Sequence, residues 1–367
     1  MAARIDPFVF AHEHFHEVVW MSQNTNHLFP ADEVAKAVEG ALREKRYEEY
    51  PFAPGLVELK ELLRQDFGLD GASIGITAGG TEALYMIARS LLGPGDEVVA
   101  SDPSYLIIHK FVALAGAQTV NLEIYAPPWR LTADRINEAI TPKTKMLLLI
   151  DPLNPLGSGY PPEEVRAIAE IARDRKLLLL DDVTYRDFAD RHTLAHPYAP
   201  ENTLTVWSLS KNCGLAGLRL GGLMAAPALF DKVWKYNTND LGVNVLAQWA
   251  GLAAMKAKPK AFPEIKRQTH KNQELIRAAV ESVPGATLPV YPSQGNMFVI
   301  DISATGVSPE AVQAELLFGH KVFVRAGNYL SPKFGSRFVR VSFSNRQQDA
   351  EAFVKAFPAV MAKLRGG

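Results

Sequence analysis

Six short stretches of this chain hold residue types that could do chemistry together. Ser208-Leu209-Ser210-Lys211 closes a run of β-formers, and Gly217-Leu218-Arg219-Leu220-Gly221 follows it. A lysine fixed at a strand end among small residues can form an imine with an aldehyde cofactor. Two serines and an arginine beside it supply donors for a phosphate. A surface lysine in a glycine-rich loop fits the same letters. Leu177 to Leu180 reads as a buried strand with Asp181 and Asp182 at its exit, and Tyr185 stands three residues beyond Asp182. A buried carboxylate needs a cationic or hydrogen-bonding partner. A protonated pyridine nitrogen is one such partner, and Tyr185 could then reach a phenolic oxygen on the same ring. A helix cap or a metal-binding carboxylate pair fits equally well.

The other four stretches also sit where strands end. Asp151-Pro152-Leu153-Asn154-Pro155-Leu156-Gly157 offers the Asn154 amide as a donor to a phenolate oxygen. Its Asn-Pro bond is a candidate cis peptide, and a plain turn is the competing reading. Ala78-Gly79-Gly80-Thr81-Glu82 lies between a strand and a helix, where glycines and free N–H groups suit a phosphate. Thr81 could also be a simple N-cap. Tyr105, in Asp102-Pro103-Ser104-Tyr105, could stack on a planar ring or merely pack in the core. In Phe338-Val339-Arg340-Val341-Ser342-Phe343, Arg340 points opposite to its valine neighbours. Its planar fork suits a carboxylate, and an exposed sheet face suits it as well.

These residues need a frame that gathers strand ends. From about residue 73 to 227, strand-like and helical runs mostly alternate, which predicts an α/β fold with a mostly parallel sheet covered on both faces. Ligands sit at the carboxyl ends of such strands. A long helix is expected over Lys260–Val283, then strands near Asn296–Asp301, Val322–Arg325 and Phe338–Phe343. The division is a large domain over 46–257 and a smaller α+β domain made of 1–45 and 258–367.

Composition bounds the function. The chain has 367 residues, 47% apolar and 22% charged, with a net charge of -1. No basic face for nucleic acid or anionic membrane is implied. No apolar run reaches the length of a bilayer span, and the first residues lack a signal peptide's continuous apolar stretch. The single cysteine, Cys213, cannot form an internal disulfide, so a reducing cytoplasm is the simplest compartment. His12, His14 and His16 alternate, and on a strand they would share one face as metal ligands do. No second ligand cluster accompanies them; solvated histidines, or a part in closing a pocket, compete with that reading. No metal is expected.

Taken together and in this order, the six stretches resemble the fold-type-I, class I/II aminotransferases, over almost the whole chain from about residue 20. The resemblance implies the pyridoxal 5'-phosphate (PLP) transferase fold, with a seven-stranded sheet in the large domain. It implies Lys211 as the cofactor's lysine and proton carrier, Asp182 as partner of the pyridine nitrogen, and Asn154 and Tyr185 as donors to the phenolate oxygen. Tyr105 matches the stacking aromatic; Gly80, Thr81, Ser208 and Arg219 match the phosphate cup; Arg340 matches the α-carboxylate arginine. Tyr50 looks like the tyrosine that reaches a neighbouring subunit's phosphate, which implies a homodimer with shared sites. Asn24-Thr25-Asn26 is similar to the Asn-x-Asn segment of histidinol-phosphate aminotransferases, placing Asn26 near substrate, and Asn296 falls where relatives keep a residue beside it. The implied activity is ping-pong transfer of an amino group from an amino acid to a 2-oxo acid. Decarboxylases, lyases and amino-acid cyclases share these motifs. A DNA-binding regulator on this fold would need a reader domain that about 20 non-basic residues cannot supply, and a non-catalytic module would have lost the lysine or the aspartate. Tyr236 to Asn244 holds no arginine where dicarboxylate-specific relatives carry one, which argues against aspartate or glutamate as the donor. Asp240 there could favour a neutral or cationic side chain, or cap a helix.

Overall fold

Strands buried on both faces must be covered by helices on both sides. The computed structural model describes residues 6–366. In chain order the elements are α1 (Pro7–Glu13), β1 (Val19–Trp20), α2 (Ala31–Arg43), α3 (Val57–Phe67), β2 (Ser73–Thr77), α4 (Gly80–Leu91), β3 (Glu97–Asp102) and α5 (Leu106–Leu114). There follow β4 (Gln118–Glu123), α6 (Ala133–Ala139), β5 (Thr144–Ile150), α7 (Pro162–Asp174), β6 (Leu178–Asp182), β7 (Thr203–Ser208), α8 (Leu209–Asn212), β8 (Gly221–Ala225) and α9 (Pro227–Trp234). The last part holds α10 (Val245–Glu281), β9 (Met297–Asp301), α11 (Pro309–His320), β10 (Val322–Phe323), β11 (Arg325–Ala326), β12 (Phe338–Ser342) and α12 (Gln347–Gly366).

The main sheet has seven strands in the order β2-β8-β7-β6-β5-β3-β4. Only β8 runs against its neighbours; the other pairs in the sheet, from β7 to β4, are parallel. This is the α/β architecture expected. Apolar runs such as Met146 to Ile150 sit in the centre, fully buried, while β4 at the edge alternates exposed and half-buried positions. Because β3, β5, β6 and β7 run the same way, their exits deliver Tyr105, Asn154, Asp182 and Lys211 to one end of the sheet.

The remaining strands form a second centre. β9, β11 and β12 make an antiparallel sheet, and β1 pairs in parallel with β10, Val19 opposite Val322. Around them Met21, Phe298, Phe343, Phe353 and Phe357 form a core of their own. The single strand expected over Val322–Arg325 is thus two strands serving different sheets.

Two sequence expectations are corrected. The helix expected from Lys260 begins at Val245, capped by the Asn244 side chain accepting from Ala247 N at 3.2 Å, and ends at Glu281. It carries Pro259 and Pro263 internally. Proline removes a helical donor and crowds the preceding turn, but Ala247, Ala250, Leu252 and Met255 are buried against Leu59 and Leu63 and fix the first half in place. The helix therefore runs through the boundary expected at 257/258. The histidine run is also not a strand. Asp6 accepts from Phe8 N and Val9 N, Pro7 opens the helix, and His12 and His14 turn their Nδ1 atoms back to the Phe8 and Phe10 carbonyls. A helical pitch separates alternate residues around the axis. No group of three metal-ligating side chains occurs among the described residues.

Candidate active site

The sheet's carboxyl end opens into a cavity of about 600 Å³, within the usual size for small-molecule sites. Lys211, Asp182, Tyr185, Asn154, Tyr105, Gly80, Thr81, Ser208, Arg219 and Arg340 all face it. Lys211 is carried by α8, which Ser208 caps by accepting from Ser210 N at 3.2 Å. Beside it, Asn212 donates to Asp187, whose carboxylate also meets Lys258 at 2.8 Å. Burial works to raise Asp187, but Arg186 and Lys258 outweigh it and hold the carboxyl below its usual range. That ionic anchor fixes the turn bearing the lysine to the loop bearing Tyr185.

Lys211 Nζ donates to the Gln23 carbonyl at 2.7 Å. Burial, with the Arg340 and Arg219 cations adding to it, pushes its ammonium down to about 7. Asp182 accepts from Thr184 N at 3.1 Å and Thr184 Oγ1 at 2.6 Å, which fixes one carboxylate oxygen. Burial raises its pKa and the Thr184 bonds oppose the rise. Its neighbour Asp181 points to the other face and accepts from Ala195 N at 3.1 Å. Side chains alternate along a strand, so only one of the pair can enter the cavity.

Asn154, behind a cis bond to Pro155, accepts from Arg340 Nη1 at 2.8 Å through its Oδ1. That leaves its Nδ2 to donate into the cavity. Arg340 also donates to the Ser22 carbonyl, while its Nε has no partner among the described residues. Burial pushes the Arg340 guanidinium down to about 10. Tyr185 Oη accepts from Asn24 Nδ2 at 3.0 Å, and burial pushes the phenol up. Burial does the same to Tyr105.

The far wall is built for an anion. Gly79 precedes α4 with φ +83, and a Cβ there would lie 2.4 Å from Arg219 Nη2. A guanidinium therefore lies against the positive end of a helix, next to the free amides of its first turn. Two like electrostatic features are stable together when a phosphate sits between them. Gly221 permits this approach, since a Cβ on it would stand 2.3 Å from Gly80 N.

Three expected residues are not brought to the cavity. Asn26 donates to the Asn212 carbonyl at 2.6 Å and accepts from Leu28 N, so both ends of its amide are used in the wall. Asn296 donates to the Asn24 carbonyl and Ser344 Oγ, both at 2.8 Å, behind the lining. Tyr50 lies at the surface, 78% exposed. Conversely Asn24, Thr184, Lys110, Arg325, Tyr329 and Phe8 line the cavity without having been singled out for it. The Asn-x-Asn segment held the signal for Asn24, one asparagine earlier than expected.

Comparison with known proteins decides the family. A family model described as aminotransferase class I and II matches residues 16–357. The chain belongs to the class I and II aminotransferase family. This family depends on PLP, and its reaction class is transfer of an amino group. An aspartate aminotransferase of Pyrococcus horikoshii is 28% identical, the match covering 85% of this chain and 82% of that one. An aspartate/prephenate aminotransferase of Thermus thermophilus is 28% identical over 90% of this chain and 88% of the other. An arginine–pyruvate transaminase of Pseudomonas aeruginosa is also 28% identical, over 73% and 70%. The solved N-succinyldiaminopimelate aminotransferase of Mycobacterium tuberculosis shares the fold, with a TM-score of 0.83 at 22% identity, covering 98% of this chain and 100% of that one. The residues present fit the family's cofactor. A glycine-shaped anion cradle, a buried carboxylate and an amine of lowered pKa line one cavity.

Proposed function

We propose that the chain runs a ping-pong aminotransfer in which Lys211 is both the cofactor's anchor and the proton carrier. The observation that carries this reading is that Lys211, Asp182 and Arg340, from three separate strands or strand exits, open onto the same cavity. PLP, when bound, supplies an aldehyde that takes the amino group and a ring that accepts the electron pair left at the substrate's Cα. Gly80, Thr81, Ser208 and Arg219 hold its phosphate at the α4 N-terminus. Tyr105, on the cavity wall, would pack against the ring. Asp182, with one oxygen fixed by Thr184, would hold a proton on the ring nitrogen. Tyr185 Oη and Asn154 Nδ2 orient the phenolic oxygen. Arg340 binds the α-carboxylate through its planar fork, which sets how Cα stands relative to Lys211. Lys211 Nζ, freed by the incoming amine, would take the proton from Cα and deliver it to the carbon that carries the cofactor's aldehyde. Asn26 and Asn296 act from behind, Asn26 on the turn that carries Lys211 and Asn296 on the Asn24 segment.

The test is Lys211→Ala in purified holoenzyme, offered a panel of amino acids without oxo acid. Loss of the lysine-bound cofactor's absorbance together with turnover supports the assignment; retained turnover refutes it. In the wild type, one equivalent of oxo acid per site establishes aminotransfer. Carbon dioxide, an eliminated fragment or a cyclised amino acid in its place would refute that reaction.

The active unit in this reading is a homodimer with shared sites. Tyr50, Phe52, Val57 and Leu241 are large apolar side chains left exposed on the single chain, and Tyr50 would reach the partner's phosphate. A monomer by light scattering, fully active, would overturn it. The domain division in this reading is 46–257 against 1–45 with 258–367, with α10 continuous across 257/258; the core around Phe298, Phe343 and Phe357 supports the smaller unit. No helix among the described residues is long and apolar enough to cross a membrane. The single cysteine, buried and free, favours the cytoplasm, and cell fractionation checks this.

A further inference from the structure

Tyr185 has one phenolic proton, and its surroundings decide where that proton points. A hydroxyl donates once, accepts through two lone pairs, and turns to suit its partners. Asn24 Nδ2 donates to Tyr185 Oη at 3.0 Å, and no other side chain hydrogen-bonds the phenol among the described residues. The amide takes an acceptor position on the oxygen, which leaves the Tyr185 proton to be donated elsewhere. Both side chains are buried and both line the cavity. The other charged or titratable groups facing the phenol are Arg340 on β12, Tyr105 before α5 and Asp182 on β6. Burial raises the phenol's pKa, and the Arg340 charge and the Asn24 bond oppose that rise.

The backbone places Asn24 for this contact. It stands at φ 55, a region that asparagine enters more readily than most residues. Its carbonyl accepts from Asn296 Nδ2 at 2.8 Å, and Asn296 also donates to Ser344 Oγ at 2.8 Å. The two residues before it give their carbonyls to the other working groups, Gln23 to Lys211 and Ser22 to Arg340. Asn24 Oδ1, in contrast, is buried with no partner among the described residues. An unsatisfied buried acceptor costs stability, a cost that a role in holding the fold does not explain. Asn154 has the matching arrangement, because Arg340 occupies its Oδ1 and turns its Nδ2 to the cavity.

We propose that Asn24 is a positioning residue for the reaction: by donating to Tyr185 Oη it turns the phenol proton into the cavity, toward the cofactor's phenolic oxygen. The inference rests on the reading that Tyr185 orients that oxygen. Without the amide the hydroxyl is free to turn, and it can then accept as well as donate. A donor held on the phenolic oxygen favours the anionic form of that oxygen and weakens its hold on the neighbouring imine proton. The lysine-bound cofactor should therefore lose that proton at a lower pH with Asn24 present than without it.

Titrating the absorbance of the holoenzyme against pH reads that proton without any turnover. Asn24→Gly removes the amide, and glycine adopts a positive φ without strain. The midpoint should rise by about half to one pH unit, the scale of one hydrogen bond. Tyr185→Phe should raise it at least as far, and adding Asn24→Gly to Tyr185→Phe should move it no further. Asn24→Asp keeps the size and the backbone preference, but its carboxylate accepts the phenol proton instead of donating to the oxygen. It should raise the midpoint more than Asn24→Gly does, and its effect should shrink in the Tyr185→Phe background. An unchanged midpoint in Asn24→Gly beside a raised one in Tyr185→Phe would overturn the proposal and leave the Tyr185 reading standing. So would an Asn24 effect that persists in full without the hydroxyl, since packing or charge would then be its cause. A Tyr185→Phe midpoint equal to wild type would overturn both. A holoenzyme that melts lower in Asn24→Gly with its midpoint unmoved would assign Asn24 to the fold alone.

Discussion

With the cofactor removed, Lys211 should titrate far below other lysines. An amine at the ordinary 10.5 is neutral in about 0.03% of molecules at pH 7, whereas one near 7 is neutral in about half, roughly a thousandfold more. The sign is fixed by the causes: burial and the Arg340 and Arg219 cations all disfavour the charged form, so the neutral fraction rises as pH rises through about 7. Apoenzyme is labelled with trace acetic anhydride between pH 5 and 10, and the peptide carrying Lys211 is quantified by mass. Its labelling should reach half-maximum near pH 7. Arg340→Met should move the midpoint upward but only part of the way, because burial is the larger cause. Cofactor should protect Lys211 alone. A Lys211 midpoint above pH 9 would refute the reasoning, and with it the claim that the cavity prepares the amine before any cofactor arrives.

Two further substitutions separate roles that the sequence leaves merged. Asp182→Asn should lower turnover by about 10²- to 10³-fold, the scale for losing one preorganised electrostatic partner, while Asp181→Asn, whose amide oxygen can still accept from Ala195 N, should leave turnover near wild type. Asp181 is pushed up to about 7, first by burial, so the folded state binds an extra proton between about pH 4 and 7 and stability falls as pH rises through that window. The Asp181→Asn protein should accordingly gain melting temperature relative to wild type at pH 8 more than at pH 5. Gly79→Ala should cost about 1–3 kcal/mol from the backbone at positive φ alone. By driving Arg219 aside it should also weaken cofactor retention, read by thermal melting and by cofactor release on dilution.

The site was legible where its signals are local. Glycine pairs, asparagine–proline turns and a lysine after serines are short-range letters, and their strand-end positions follow from counting strands. The mostly parallel sheet followed from the alternation of strand-like and helical runs, and its seven strands from the family resemblance. What was hidden depends on distant pairing. Asn24 reaches Tyr185 from a backbone at φ 55, a turn that asparagine tolerates but does not announce. Arg325 reads as the end of one strand, because nothing in Val-Phe-Val-Arg tells that its first two residues pair with β1 and its last with β12. The long helix begins at Val245 rather than Lys260, and the buried face that fixes its first half packs on Leu59 and Leu63, far away in sequence. The histidine run is different: Asp6-Pro7 is a helix-opening signal, and it was present in the letters.

The pairing of Val19 with Val322 imposes an order on synthesis. Val18 and Met21, fully covered in the finished molecule, leave the ribosome long before β10 exists. At about 5–20 residues per second the wait is on the order of half a minute. Over that interval the β2–β8 sheet can close, while the first strand remains an apolar edge with nothing beside it. Yield in a cell should therefore depend on how quickly the roughly 300 codons between β1 and β10 are read and on which chaperones hold the segment around β1. Slowing translation just before β10 lengthens the exposure without altering one contact of the completed protein.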